Sequence, residues 1–197
     1  MKKVKSKQIK YLNTEELRRF FDVVKKEKKV RNELLFRLCF HLGLRVSELI
    51  SLRLKDIHPK NLEIKINRLK GGISRTLPLC AGDIKLLKKW RGERSNYQYA
   101  DENPYLFITN HSTIEPMRKD TVQKMFKKFS EKAGLELTNI HSLRHGIAVE
   151  LLMKGFDIYF VKNWLGHSNI QSTQVYVDIA PPEWKKMSRE AVESFSV

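Results

Sequence analysis

Apolar residues recur at helical spacing along most of the chain. The first such segment follows a polar start at Asn13 and Thr14 and carries apolar side chains at positions 17, 20, 21 and 24. Residues three and four apart share one face of an α-helix, so this spacing predicts an amphipathic helix. The same periodicity predicts helices over 31–42, 47–52, 83–91, 119–133, 142–154 and 157–165. Gly43, Gly134, Gly155 and Gly166 are placed to end four of them.

The pattern changes between Asp56 and Leu79. Ile64 and Ile66, with Leu62 before them, alternate with polar residues, and a second stretch begins at Thr76. A period of two is typical of a half-buried strand, and the glycines at 71 and 72 supply a tight turn between the stretches. The segment predicts a small antiparallel hairpin. We therefore expect a fold that is mainly α with a small antiparallel β-sheet (α+β), and a loop over 95–104.

Charge points to the class of partner. The 197 residues include 38 Lys+Arg and 22 Asp+Glu, which gives a net charge of +16 and a pI near 9.9. Such an imbalance favours a polyanion, and nucleic acid above all. Hydrophobic residues make up 41% of the chain, enough for one folded domain and too many for a disordered protein.

The segments at the two ends differ from the middle of the chain. Residues 1–12 carry five lysines and are expected to form a basic arm without a core. The folded domain is expected to span 13–180. Residues 181–197 open with two prolines and carry a sparse apolar stripe at helical spacing, which predicts a tail helix. The stripe consists of Trp184, Met187, Ala191 and Phe195.

Neither a membrane nor a redox role is indicated. No apolar run approaches the ~20 residues that a membrane helix needs, and no apolar signal core follows the first basic residues. We expect a cytoplasmic protein. Cys39 and Cys80 lack CxxC spacing, so both are expected to be reduced thiols without a special role.

The stretch HSLRH at 141–145 is the first candidate for chemistry. His141, Arg144 and His145 are three and four residues apart at the start of a predicted helix, so they lie on neighbouring parts of one surface. A solvated basic face or a capping histidine would have the same appearance. A zinc site is disfavoured, because the glutamate of HExxH is missing and spacing fixes no third ligand.

Further candidates lie in three other segments. In GLRVSEL, Arg45 follows a glycine helix stop and precedes Glu48 by three residues, so it could simply pair with that carboxylate. Lys70 lies beside the predicted glycine turn, where a lysine is commonly just solvated. In WLGHSNIQSTQVY, Tyr176 follows His167 by nine positions. Without the other motifs, a half-buried core tyrosine is the simpler interpretation.

Taken together, these side chains suit a phosphodiester. The set comprises two guanidiniums, an ammonium, two imidazoles and a phenol, namely Arg45, Arg144, Lys70, His141, His167 and Tyr176. Planar arginine forks match the two nonbridging oxygens of a phosphate, and a lysine or histidine can protonate a leaving alkoxide. A tyrosine nucleophile would keep the bond energy in a covalent link. Such a reaction requires neither a metal nor a cofactor.

The order of these residues resembles that of the tyrosine recombinase and integrase family, whose signature is Arg, Lys, His-x-x-Arg, His or Trp, and Tyr. The matching stretches are GLRVSELISLRL, RLKGGISRTLPL, HSLRHGIAVELL and LGHSNIQSTQVY. The resemblance implies the catalytic-domain fold of this family. It also implies that the protein is a site-specific recombinase, which cleaves and rejoins DNA through a 3′-phosphotyrosyl link in inversion, integration or excision.

The resemblance also implies a role for each matching residue. Tyr176 would attack the phosphate and free a 5′-hydroxyl, while Lys70 would protonate the leaving oxygen. Arg45 and Arg144, aided by His167, would bind the phosphate oxygens. His141 would help to move the tyrosine proton. Glu48 and His145 would orient the arginine and the other site residues without contacting the phosphate themselves.

In one respect the chain departs from the family pattern. Most members carry a helical core-binding domain before the catalytic domain, and here only a dozen residues precede it. This short format resembles the fimbrial phase-variation recombinases, and other integrases that consist of a catalytic domain alone fit nearly as well. Further contacts with double-stranded DNA are expected from Arg75, Thr121, Lys124 and Lys128, although a solvated face would explain these residues equally well. The tail is expected to dock on a neighbour, giving a homo-tetramer on DNA and weak association without it. Packing against its own domain is the alternative.

Two other functions are compatible with parts of the pattern. A type IB topoisomerase-like enzyme uses similar chemistry on one duplex, but the HSLRH and LGH…Y spacings favour a recombinase. A DNA-binding accessory or regulatory protein could keep the fold without turnover. A missing catalytic side chain would favour that alternative, and all six positions are filled.

Overall fold

The computed structural model describes residues 9–68, 72–109, 114–137, 139–177, 179 and 193. Lys70, Gly71, residues 1–8 of the arm and the apolar stripe of the tail lie outside the described residues. The described helices are α1 (Thr14–Lys26), α2 (Val30–His41), α3 (Val46–Ile50), α4 (Ala81–Arg94), α5 (Lys119–Lys132), α6 (His141–Met153), α7 (Ile158–Leu165) and α8 (Gln171–Gln174). The strands are β1 (Ile57–His58), β2 (Glu63–Ile66) and β3 (Arg75–Pro78), and a 3-10 turn (Leu54–Asp56) precedes β1.

Helix α1 begins where its sequence predicts. The Asn13 side chain accepts from the Glu16 backbone N–H at 2.9 Å, and the Glu16 carboxylate accepts from the Asn13 N–H at 2.9 Å. This reciprocal pair satisfies two of the N–H groups that a helix start leaves without partners. Leu17, Phe20 and Val24 are buried on one face, so the predicted amphipathic helix is confirmed.

The largest core joins α1, α2 and α5 through aromatic side chains. The ring centroids of Phe20 and Phe36 are 5.3 Å apart, and those of Phe20 and Phe126 are 5.2 Å apart. A second apolar cluster joins α6 and α7 and includes Tyr176. Helices α6 and α7 therefore pack together with the predicted nucleophile.

The sheet is three-stranded and antiparallel, in the order β1, β2, β3. Ile64 pairs with Leu77 and Ile66 with Arg75, so the alternating apolar residues of β2 face the core as predicted. Strand β1 was not predicted, because two residues are too few to show a period. Leu62 was assigned to the alternation, but it has a positive φ of 57° and an exposed side chain in the turn before β2.

Most helix boundaries agree with the predictions to within two residues. The main differences are α4, which is longer than 83–91 at both ends, and α8, a single turn that was not predicted. The four predicted terminator glycines all have positive φ. The segment 95–104 contains no helix or strand, and the buried Arg94 supports it by donating to the carbonyls of Ala100, Asn103 and Tyr105.

None of the helices in the described ranges is both long enough and apolar enough to cross a membrane.

Candidate active site

Arg45 lies at the junction that follows α2. Gly43 turns the chain with a φ of 57°, and Arg45 then takes the capping position of α3. Its backbone N–H donates to Glu48 Oε2 at 2.8 Å, and its Nη1 donates to Glu48 Oε1 at 2.7 Å. About a third of the Arg45 side chain remains exposed, so this guanidinium is fixed at one edge and open at another.

Glu48 is the buried centre of the site. Besides Arg45, its carboxylate accepts from Arg68 Nη1 at 2.7 Å and lies 3.7 Å from Arg144 Nη1. Burial alone would raise the pKa of Glu48. The charge of Arg68, the hydrogen bonds from Arg45 and the charge of Arg144 outweigh burial and hold the pKa of Glu48 below its ordinary value. One carboxylate thus organises three guanidiniums, which leaves the cluster with an excess of positive charge.

Arg144 enters the cluster from α6 and is almost fully buried. Its Nη1 donates to the carbonyl of Gly43, and its Nη2 donates to the carbonyl of Leu165 at 3.0 Å. Burial, followed by the charges of Arg45 and Arg68, lowers the pKa of Arg144 to about 10. The guanidinium therefore remains cationic at neutral pH. Since an arginine carries five N–H donors, groups remain that can bind an anion.

His167 follows directly on the Gly166 turn at the end of α7. Its Nδ1 lies 2.8 Å from the hydroxyl of Thr173, which is fully buried in α8. Burial, and after it the charges of Arg144, Arg45 and Arg68, lower the pKa of His167 to about 4. The imidazole is therefore neutral near pH 7, and the threonine fixes the orientation of its ring.

Tyr176 follows α8 by two residues and is buried. Its hydroxyl lies 2.8 Å from His145 Nδ1. Burial raises the pKa of Tyr176, and the charges of Arg144 and Arg45 oppose this rise. Burial, with His141 and Arg144 after it, lowers the pKa of His145 to about 4. Both partners are thus neutral near pH 7, and the phenol donates when the imidazole carries its proton on Nε2.

His141 is the first residue of α6. Its ring centroid lies 6.5 Å from that of His145, and its backbone N–H donates to Asn139 Oδ1 at 3.0 Å. Burial and the charges of Arg144 and Arg45 lower the pKa of His141. The resemblance assigned transfer of the tyrosine proton to His141, whereas the imidazole that is hydrogen-bonded to the phenol is that of His145.

Arg68 and Thr173 belong to this site, and the sequence analysis assigned neither. Arg68 lies inside the quoted stretch RLKGGISRTLPL, two residues before Lys70, and could have been noticed as a second cation on the hairpin. Thr173 follows His167 by six positions across a turn and a short helix, a spacing that no simple period indicates.

The four candidate DNA contacts have different surroundings. Lys124 is exposed on α5, and Thr121 on the same helix is half-buried. Lys128 Nζ lies 3.4 Å from a carboxylate oxygen of Glu27. Arg75 on β3 donates from Nη2 to Asn163 Oδ1 at 2.9 Å. Lys128 and Arg75 are therefore engaged within the chain, whereas Lys124 faces solvent.

One group of potential metal ligands, His41, Cys80 and Asp83, occurs among the described residues. His41 Nδ1 lies 2.6 Å from Asp83 Oδ2, and Arg37 Nε donates to Asp83 Oδ1 at 2.7 Å. Distances this short are hydrogen bonds within an ion-paired cluster that ties α2 to α4. Cys39 is buried, and burial raises the pKa of its thiol to about 12.

Comparison with known proteins identifies the architecture around these side chains. The model of the phage integrase family matches residues 10–183, which include every predicted catalytic position. The chain belongs to the phage integrase family.

Curated members of the family are similar to most of this chain. The tyrosine recombinase XerA of Pyrococcus furiosus is 33% identical over 185 residues, which are 93% of this chain and 61% of XerA. The type 1 fimbriae regulatory protein FimB of Escherichia coli K12 is 35% identical over 147 residues, 74% of this chain and 72% of FimB. The chain therefore spans less than two thirds of XerA.

Solved structures of the family share the fold. The XerH site-specific recombinase, in its pre-cleavage complex with difH substrate, has a TM-score of 0.76 and 30% identity, covering 87% of this chain and 51% of that one. The catalytic domain of bacteriophage HP1 integrase has a TM-score of 0.68 over 92% of this chain and 95% of that one. At 22% identity, the latter likeness concerns the fold alone. The predicted family and the predicted α+β fold are confirmed.

Proposed function

We propose that the protein is a site-specific DNA recombinase that cleaves and rejoins DNA through a 3′-phosphotyrosyl intermediate. The observation that carries the proposal is the buried phenol of Tyr176, whose hydroxyl lies 2.8 Å from Nδ1 of His145, the residue next to Arg144 on α6. Membership of the phage integrase family supports it. In this proposal, residues 13–180 form the catalytic domain between the arm (1–12) and the tail (181–197).

The phosphate-binding part of the mechanism belongs to Arg45, Arg144 and His167. Attack on phosphorus places extra negative charge on the nonbridging oxygens, and donors fixed in advance stabilise that charge without reorganising. Arg144 is held by two backbone carbonyls, and His167 is held by a buried threonine. These groups therefore face the phosphate in orientations that the fold sets before DNA binds.

The covalent step exchanges one phosphate ester for another. The Tyr176 oxygen forms a bond to phosphorus, the bond between phosphorus and the 5′ oxygen breaks, and Lys70 gives its proton to that oxygen. In the reverse direction, a 5′-hydroxyl attacks the phosphotyrosine and releases the phenol. Because the ester energy is retained, rejoining needs no cofactor. The arrangement of the DNA sites would then decide between inversion, integration and excision.

The phenol proton needs an acceptor. We assign this role to His145, and we expect His141 to assist His145. His145 is the imidazole in contact with the hydroxyl, at 2.8 Å. Nearby positive charge contributes to its low pKa. An anionic phosphate bound to the arginines would offset that charge and raise the pKa of His145. The base would thus become effective only when substrate is bound.

The decisive test is trapping of the covalent intermediate. The probe is a pool of duplexes randomised around a fixed nick, so that the cleaved fragment diffuses away and the adduct accumulates. The unaltered chain should give a slow-migrating protein–DNA adduct on a denaturing gel, and Tyr176→Phe should give none. Tyr159→Phe is the matched control and should keep the adduct, because Tyr159 is 65% exposed. A chain that binds the pool without forming an adduct would contradict the proposed activity.

The proposed partners are double-stranded DNA and further copies of the chain. Lys124, Thr121, Arg75 and Lys128 extend the basic surface for DNA, and we expect Lys128 to contribute less because it is paired with Glu27. We propose a homo-tetramer on two DNA sites, weakly associated without DNA, acting in the cytoplasm. Light scattering with and without the duplex selected from the pool tests this assembly, and a monomer on DNA would contradict it.

A further inference from the structure

Arg68 is a buried cation whose donors point into the protein. Its side chain has an exposure of 0%. Arg68 lies two residues after β2, and its side chain points into the cluster around Glu48. There its Nη1 donates to Glu48 Oε2 at 2.7 Å. Its Nη2 donates to the carbonyls of Trp164, at 2.8 Å, and Leu42, at 3.4 Å. Both Nη groups are therefore used within the cluster, which places Arg68 to act through the groups that it holds.

The partners of Arg68 run parallel to those of Arg144. Arg68 binds the carbonyls of Leu42 and Trp164, and Arg144 binds those of the next residue in each segment, Gly43 and Leu165. Both guanidiniums also face the same carboxylate oxygen, Glu48 Oε2. Two arginines therefore join the same three structural pieces: the end of α2, the end of α7 and the carboxylate on α3. Only Arg144 is predicted to continue to the phosphate.

The stem of Arg68 also packs on the turn that presents His167. A Cβ added at Gly166 would lie 2.6 Å from Arg68 Nε and 2.9 Å from its Cγ, so the stem occupies the place of a side chain there. The carbonyl of Gly166 accepts from the Ile73 N–H at 3.3 Å, which brings the segment just before β3 to the same turn. His167 is the next residue, so its backbone is held from both sides.

A role in stability alone does not account well for such a residue. Burying a guanidinium costs hydration, and a buried ion pair is often no more stabilising than apolar residues of the same volume. Here the cation also keeps Nε without a hydrogen-bond partner among the described residues. The geometry instead suits a residue that fixes where neighbouring groups point.

We propose that Arg68 is a positioning residue, which orients Arg144 and His167 for the scissile phosphate by fixing Glu48 and the carbonyl ends of α2 and α7. This inference rests on the proposed recombinase function. It concerns the rate of cleavage once DNA is bound, because Arg68 acts through the groups that it holds.

The experiment compares Arg68→Met with Arg94→Met. Both remove a buried arginine that donates to backbone carbonyls, but the partners of Arg94 lie in the 95–105 loop. Adduct formation is measured at saturating protein on the nicked duplex selected from the pool, beside duplex affinity and thermal melting. Arg68→Met should cleave about 10²-fold more slowly at unchanged affinity, because small displacements of reacting groups cost that much. Arg94→Met should melt earlier but cleave at nearly the normal rate.

Arg68→Lys extends the test if Arg68→Met fails to fold. Lysine keeps the charge opposite Glu48 but lacks the planar fork that reaches two carbonyls, so an intermediate loss of rate is expected. Normal cleavage by a folded Arg68 variant would overturn the inference while leaving the recombinase function intact. No adduct from the unaltered chain would refute the recombinase function and this inference with it.

A second substrate tells apart the two groups that Arg68 could serve. Lys70 lies two residues further along the chain, so the rate loss could arise from a displaced general acid. Replacing the bridging 5′ oxygen of the duplex by sulfur provides a leaving group that needs no protonation. If Arg68 serves the phosphate-binding groups, Arg68→Met should cleave the sulfur duplex more slowly than the unaltered chain does, by the same factor as on the ordinary duplex. Recovery of the rate on the sulfur duplex would contradict the inference.

Discussion

At the scale of single residues, the site depends on a carboxylate that is buried beneath the arginines. Glu48 is buried and accepts from Arg45 and Arg68 at hydrogen-bond distance, with Arg144 3.7 Å away. Without a carboxylate at this position, three cations would repel one another in a region of low dielectric. The ionised carboxylate of Glu48 therefore allows the three arginines to lie together, as the proposed phosphate site requires.

Replacing Glu48 by glutamine should destabilise the fold and abolish cleavage. Removing one partner of a buried pair leaves uncompensated charge, which typically costs about 3–5 kcal/mol. Urea unfolding of Glu48→Gln measures this loss. The control is Glu131→Gln, whose exposed pair with Lys127 spans 3.7 Å and contributes about 0–1 kcal/mol. Equal stability of the two variants would contradict the central role of Glu48.

The sequence predicted the residues that carry charge more readily than their pairings. Arg45, Arg144, His167 and Tyr176 stand out because their types and order suit a phosphodiester. Which imidazole meets the phenol could not be predicted, since His141 and His145 lie four residues apart on one helix face. That choice depends on where the segment carrying Tyr176 packs against α6. Arg68 was missed for a related reason, because two of its partners are backbone carbonyls, which every residue has.

At the scale of elements, the turn after α7 sets the position of His167 in the site. Gly166 has a φ of 67°, which ends α7 and places His167 at the start of the next segment. The sequence predicted this helix end from the glycine. It could not predict α8, because a single turn of helix has no period, nor that Thr173 within it orients His167.

Gly166→Ala should be more damaging than Gly155→Ala. Both glycines have positive φ, and a non-glycine residue in this region costs about 1–2 kcal/mol. A Cβ at Gly155 would meet no atom within 4 Å, so that variant reports the backbone cost alone. A Cβ at Gly166 would collide with the stem of Arg68, which adds a further ~1–3 kcal/mol of overpacking.

Urea unfolding and adduct formation together test this comparison. Gly155→Ala should lose stability and keep its cleavage rate, since the turn after α6 contacts none of the catalytic groups among the described contacts. Gly166→Ala should lose more stability and most of the cleavage. If both variants lost the same stability, the packing of Arg68 on Gly166 would not matter energetically.

At the scale of the whole molecule, positive charge has two distributions: a general excess along the chain and a local cluster around Glu48. The net charge of +16 is spread over the chain and suits the DNA backbone in general. The buried cluster around Glu48 instead gathers three guanidiniums beside three imidazoles. Composition predicts the first feature without any structure. The second arises only when α3, the hairpin, α6 and the turn after α7 meet.

This concentration of charge should make the fold sensitive to acid. His145 and His167 have pKa values lowered to about 4, and the ordinary value is 6.5. Between about pH 4 and 6.5 these imidazoles are protonated in the unfolded chain and neutral in the folded one. The free energy of unfolding therefore rises with pH in this window. The stability is fully present above about 6.5 and is lost as pH falls towards about 4. Glu48 and Asp83, whose pKa values are lowered, act in the same direction at still lower pH.

Urea unfolding at about pH 7 and about pH 5 measures this loss, and histidine variants assign it. His145→Gln removes a titrating group that faces Tyr176, His141 and Arg144, so its stability should depend less on pH than that of the unaltered chain. His58→Gln is the control, because His58 is exposed on β1, and it should keep the full pH dependence. If His145→Gln lost as much stability on acidification as His58→Gln, the acid sensitivity would have to originate outside the pair that holds the nucleophile.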